Sequence, residues 1–230
     1  MKQNITLSNL PSRGQYYSDP DYLLQIPLYT FNDILTYNNY PVYNYIQRLL
    51  RDIDSLNIEN VNDILLFDLP AISFLKKCMS VKESVSFDFP FKCEECQNKF
   101  IQQIKLTDID FKTGLELPDK IKIGDNEINT KIPTLQDVRH VARIFLGLKN
   151  LPHEQIFIIC CYLDFIPNRN RIQHIVENAT QSDIVKLLNL VDNLDPLLPT
   201  KITCTNCTKE TTVSLSALTV DLFSLFRINY

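Results

Sequence analysis

A chain of 230 residues with 45% hydrophobic content is long enough to bury one large core or two small ones. Its net charge of −4 gives no global electrostatic drive toward nucleic acid or an anionic membrane, and 4 glycines with 12 prolines exclude a collagen-like or low-complexity chain. The longest apolar run, IFIICCYL at 156–163, falls short of the roughly 20 residues that cross a bilayer, and MKQNITLSNLPSRG lacks the apolar stretch of a signal peptide, so a soluble cytosolic chain is expected.

In chain order, residues 1–21 read as an N-terminal arm. Within LPSRGQYY at 10–17, Gly14 permits a backbone turn and Arg13 can make a charge-assisted hydrogen bond. Arg13, Tyr16 and Tyr17 are therefore candidate partner contacts, with fastening of the arm to its own domain as the alternative. Tyr37, Tyr40, Tyr43 and Tyr45 extend the aromatic cluster, which offers either a contact surface or a cover for the edge of the core.

Residues 22–36, YLLQIPLYTFNDILT, predict a strand ended by Pro27 and a helix N-capped by Thr30 with Asp33 three residues on. PVYNYIQRLLRDI, NVNDILLFDL and LPAISFLKKCM then carry apolar residues at three- and four-residue spacing, predicting two or three amphipathic helices, with Pro41 in a first turn. SVSFDFPFKCEEC alternates up to Cys93 and Cys96, and KFIQQIKLTDIDF alternates after them, as the arms of a hairpin do.

The plan then recurs. IKIGDNEINTKI predicts a hairpin turning at Gly124, Asp125 and Asn126, and KIPTLQDV repeats the proline and cap as Pro133, Thr134 and Asp137. LPHEQIFIICCYLDF, RNRIQHIVENA and SDIVKLLNLVDNL predict short helices, with caps at Asn168 or Asn170 and at Ser182. TKITCTNC and ETTVSLSALTVDLF close this half with Cys204 and Cys207. From Pro27 to Cys93 and from Pro133 to Cys204 the separation is about 70 residues each time, the fixed period of an internal duplication. The expected fold is α+β, in two related halves at 22–113 and 114–230. Each holds short helices and a CxxC-bearing, zinc-ribbon-like hairpin, and the two join at a shared metal site.

A CxxC on a tight turn presents both thiolates to one point, and two such turns supply the four ligands of a tetrahedral zinc site. Cys93, Cys96, Cys204 and Cys207 are the candidate ligands, and a closed all-thiolate set makes the zinc structural. Reduced structural thiols and a redox CxxC are the alternatives, although a redox CxxC opens a helix rather than joining strands. Cys78, Cys160 and Cys161 lie in apolar helical patterns and read as buried small hydrophobes.

Neither the 3 histidines nor the few glycines form a catalytic motif: HEQIF lacks the second histidine of a zinc protease, and no P-loop, GxGxxG or GxSxG is present. His140, His153 and His174 read as surface or helix-packing residues, and no enzyme is expected. The charges around both cysteine turns nearly cancel, with no interleaved basic and aromatic side chains, so nucleic-acid binding ranks second. Salt-dependent binding to DNA or RNA would promote it.

Taken together, LPSRGQYY, the strand–Pro–Thr–helix opening at 26–33, KCEEC at 92–96 and KIPTLQDV at 131–138 resemble the baseplate hub assembly proteins of T-even-like contractile-tailed bacteriophages. The likeness covers most of the chain. It implies a non-enzymatic hub component or assembly factor in the host cytoplasm, or in the virion tail baseplate, whose partners are hub proteins. It supplies no catalytic residue.

Overall fold

The computed structural model describes residues 2–30, 44–80, 86–105, 116–148, 154–164, 168–193 and 200–213. The fold is mixed α+β: helices around a shared core, with two-stranded antiparallel sheets at its margins.

Lys2–Thr6 (β1) pairs antiparallel with Leu23–Pro27 (β2), Thr6 facing Leu23 and Lys2 facing Pro27. Leu24 and Ile26 of β2 are buried between exposed neighbours, the alternation of a half-buried strand. The segment read as an arm thus contributes a strand, and Leu7 and Leu10 of the connection enter the main core. The helix expected after Thr30, with Asp33, Pro41 and the tyrosines at 37, 40 and 43, falls outside the described residues.

Tyr45–Ser55 (α1) starts at Asn44, whose side chain accepts the Gln47 N–H. Its C-terminal end is held by buried Lys76 of Leu69–Ser80 (α2), whose ammonium donates to the carbonyls of Ser55 at 2.9 Å and Leu56 at 2.5 Å and lies 4.3 Å above the Tyr29 ring. A cation there meets the negative end of the helix dipole.

Between these helices, the periodic stretch NVNDILLFDL forms two short 3-10 turns, Val61–Asp63 and Leu66–Asp68, rather than an α-helix. The reason is tertiary: Leu135 donates to the Ile64 carbonyl and Leu66 to that of Pro133, so these backbone groups are spent on a bridge to the second half of the chain.

Ser86–Lys92 (β3) and Lys99–Lys105 (β4) form the first cysteine hairpin. Lys120–Ile123 (β5) and Asn126–Asn129 (β6) form the next, turning at Gly124 and Asp125; Gly124 has φ +58, and Asn126 opens β6. Leu135–Leu146 (α3) begins with the expected capping box, Thr134 and Asp137 each accepting the other's N–H. Glu154–Tyr162 (α4) and Arg169–Asn178 (α5) follow, α5 capped by Asn168. Gln181–Asn193 (α6) is capped by Thr180 rather than Ser182: Asp183 donates its N–H to the Thr180 hydroxyl and receives the Thr180 N–H on its carboxylate. Ser182 lies one residue inside the helix, too late to cap it. Thr200–Thr203 (β7) and Glu210–Val213 (β8) make the second cysteine hairpin.

One apolar cluster draws on both halves, with Ile26, Ile46, Phe67 and Ile72 from the first and Leu135, Val138, Phe145 and Phe157 from the second. Cys160 and Cys161 are buried in it, as expected; the side chain of Cys78 falls outside the described residues. A smaller cluster of Ile123, Ile159, Leu163, Ile175 and Leu187 lies where the β5–β6 hairpin meets α4, α5 and α6.

Candidate metal centre

The two cysteine hairpins turn in the same way. In the first, the Cys93 N–H donates to the Asn98 carbonyl and the Gln97 N–H to that of Cys93, both at 2.9 Å. In the second, Cys204 donates to Lys209 at 2.9 Å and Thr208 to Cys204 at 3.0 Å. The residue after each second cysteine, Gln97 and Thr208, is left-handed, with φ 59 and 56. These bonds curl each CxxC so that its two sulfurs leave the turn on one side.

The turns face each other in approximate two-fold relation, the first cysteine of each meeting the second of the other. Cys93 Sγ lies 3.7 Å from Cys207 Sγ, and Cys96 Sγ lies 3.6 Å from Cys204 Sγ. All four sulfurs fall within 4.8 Å of one another. A zinc tetrahedron with Zn–S bonds of about 2.3 Å has S···S edges of about 3.8 Å, so the cluster has the dimensions the metal requires. Cys93 and Cys204 are buried, while Cys96 and Cys207 are half-buried. Outside the sulfurs, the Lys209 ammonium meets Glu95 at 2.6 Å and the Asn98 amide donates to the Thr205 hydroxyl at 3.3 Å. The ion pair is largely exposed and supplies register rather than much stability.

The chemistry of the donor set also suits a dication. The Cys204 thiol is drawn down to about 6, first by the backbone N–H of Cys207 and further by that of Asn206, against desolvation. Cys96 is lowered chiefly by the Asn98 N–H. Cys207 goes the other way: the Lys209 N–H favours its thiolate, but desolvation and the sulfurs of Cys96, Cys204 and Cys93 push it up to about 12. Four adjacent thiolates repel, and a bound cation removes that repulsion. Among the described residues, no other group of three or more His, Cys, Asp or Glu side chains converges in this way. The four cysteines fit a metal ion such as zinc, and a tetrahedral set of four leaves no position for water or substrate.

The other sequence candidates are dispersed. His140 on α3 and His174 on α5 are exposed, and His153 lies outside the described residues. Arg13 and Tyr16 are exposed, with left-handed φ of 55 and 71. Tyr17 is half-buried and points inward: its hydroxyl donates to Asp68 Oδ2 at 2.9 Å and accepts the Leu65 N–H at 3.0 Å. Asp68 is fully buried, and Ser12 donates to it through both N–H (2.9 Å) and hydroxyl (2.7 Å). Gly14, at φ +73, lies so close to Pro20 that an added Cβ would sit 2.6 Å from the proline Cβ. LPSRGQYY is therefore folded around a buried carboxylate of its own chain.

Sequence reading missed Asp68. The available signal was a lone carboxylate in the apolar run ILLFDLP, which demands buried donors. No family model, curated protein or solved structure matches the chain.

Proposed function

We propose that this chain is a non-enzymatic scaffold, clasped by structural zinc, that acts through protein–protein contacts in building the baseplate hub of a contractile phage tail. It serves there as an assembly factor or a hub component, in the host cytoplasm. The observation that carries the scaffold reading is the closed four-sulfur cluster made by two hairpins more than a hundred residues apart in sequence. In this reading Cys93, Cys96, Cys204 and Cys207 hold the zinc, which neutralises the thiolates and ties together two related halves, 22–113 and 114–230. The matching cysteine turns support the duplication, as does the Thr-x-x-Asp cap of α3, whose sequence counterpart is Thr30 to Asp33.

The phage assignment rests on the resemblance of LPSRGQYY, KCEEC and KIPTLQDV. The engagement of Ser12, Gly14 and Tyr17 in a buried network gives that motif a folding role of its own. No described helix is long and apolar enough to cross a membrane. Lys209 is spent on Glu95, which favours protein over nucleic-acid contacts at the turns.

Native mass spectrometry of the reduced protein tests the clasp. One zinc per chain is expected, lost in Cys204→Ser; a folded, metal-free wild type would overturn it. The assembly role is tested by deleting the gene in the phage that encodes it. Infected cells should then accumulate unassembled hub subunits, with rescue by the wild-type chain but not by Cys204→Ser, whereas complete baseplates in the deletion would refute the role.

A further inference from the structure

Beside LPSRGQYY, and away from the cysteines, lies a cleft of about 180 Å³. Its floor is apolar, made by the buried side chains of Leu7, Leu24 and Ile64, while Asp19, Glu59 and Asp63 stand on its rim. None of these three carboxylates forms a salt bridge among the described residues, and only Asp19 spends an oxygen, on the Asp21 N–H at 3.1 Å. Tyr22, on the wall, is 45% exposed. The walls are held in place beforehand. The β1–β2 pairing sets Leu24, the Tyr17 hydroxyl is pinned by Asp68 and Leu65, and Asn60, with left-handed φ 56, turns the chain between Glu59 and Asp63.

Size and chemistry narrow the occupant. The cleft is smaller than the roughly 300 Å³ at which small-molecule sites begin, and it suits one long side chain. Its carboxylates do not converge as metal ligands do, and the apolar floor offers a bare cation nothing. A group with a methylene stem and a cationic head satisfies both parts, the stem on Leu7, Leu24 and Ile64 and the head among the carboxylates. Exposed Tyr22 on the wall supplies apolar contact of the kind that surrounds an anchored side chain in a protein interface.

We propose that this cleft anchors a lysine or arginine side chain of a protein partner, with Tyr22 as the adjoining contact surface. The proposal deepens the protein-contact function and rests on it. It is tested on the full, zinc-loaded chain by NMR titration with Ac-Gly-Leu-Lys-Leu-Gly-NH2, its arginine counterpart and its glutamate counterpart. The lysine and arginine peptides should shift the amides of residues 18–24 and 59–64, and the glutamate peptide should not. Binding should weaken about tenfold in Glu59→Gln/Asp63→Asn, with the rest of the spectrum unchanged. Equal response to the glutamate peptide, shifts elsewhere, no shifts, or undiminished binding by the double variant would each overturn the proposal. Metal content is measured on the same sample, so missing zinc counts against the clasp, while failure on a zinc-loaded chain counts against the cleft alone.

Discussion

Asp68 shows what one residue can organise. Burial pushes its carboxyl above the ordinary range, although the Ser12 hydroxyl, the Ser12 N–H and the Tyr17 hydroxyl all pull it back. Burial, and then the Asp68 charge, likewise pushes the Tyr17 phenol well above its usual value. Because the folded carboxyl holds its proton to higher pH than the unfolded one, this group's contribution to stability falls as pH rises from the ordinary carboxylate range through its raised folded value. Asp68→Asn should flatten that part of the stability–pH curve, which urea unfolding at several pH values would show. Asp68→Ala leaves three buried donors without their acceptor and should cost roughly 3 kcal/mol or more in urea unfolding; Tyr17→Phe, which orphans the Leu65 N–H, should cost roughly 1–2 kcal/mol. Gly14 was legible as a turn residue because its freedom is intrinsic. Asp68 was not, because Ser12 and Tyr17 lie 56 and 51 residues away in sequence.

At the scale of elements, local chemistry decides starts and turns, and tertiary bonds decide the exceptions. The Thr-x-x-Asp cap was readable before α3 because Pro133 marks the boundary, but before α6 the adjacent Ser182 competes with Thr180. Thr180→Ala should therefore cost about 1 kcal/mol, whereas Ser182→Ala should stay within about 0.5 kcal/mol, both measured by thermal unfolding. The stretch 61–68 was misread as helical for another reason, since its apolar spacing fits a helix while its backbone is taken by Pro133 and Leu135. The cysteine turns hold a different surprise: both place a residue with a Cβ where glycine is favoured. Thr208→Gly and Gln97→Gly should each stabilise the zinc-loaded protein by about 1 kcal/mol, the β-branched threonine gaining more; a lower melting temperature would contradict this.

For the whole molecule, Cys93, Cys204 and Ile202 of the cysteine hairpins are buried but stand outside the main apolar cluster, so the clasp brings a burial of its own. A structural zinc contributes on the order of 10 kcal/mol to folded small domains at neutral pH. Chelation should thus expose the amides of both hairpins, Phe91 and Phe100 together with Ile202 and Thr211, to hydrogen exchange at once. Those of α3 from Val138 to Phe145 should stay protected. Hairpins that keep their protection without metal would show that they stand unaided. The meeting of the four cysteines was legible, because CxxC between alternating strands fixes its own geometry. That helices from the first and second parts of the chain would pack into one core was not, because apolar spacing shows which face of a helix is buried but not against what.

The distance along the chain between the two turns also imposes a schedule. Cys93 and Cys207 are 114 residues apart, so at about 5–20 residues per second the ribosome delivers the second pair of thiolates roughly 5–20 s after the first. Throughout that interval the nascent chain carries half a site. Because the finished site is nearly two-fold, two such halves on neighbouring chains of one polysome are complementary to each other. For a chain clasped by zinc as proposed, zinc supply during translation, as well as afterwards, would set the yield of chains clasped to themselves rather than to one another.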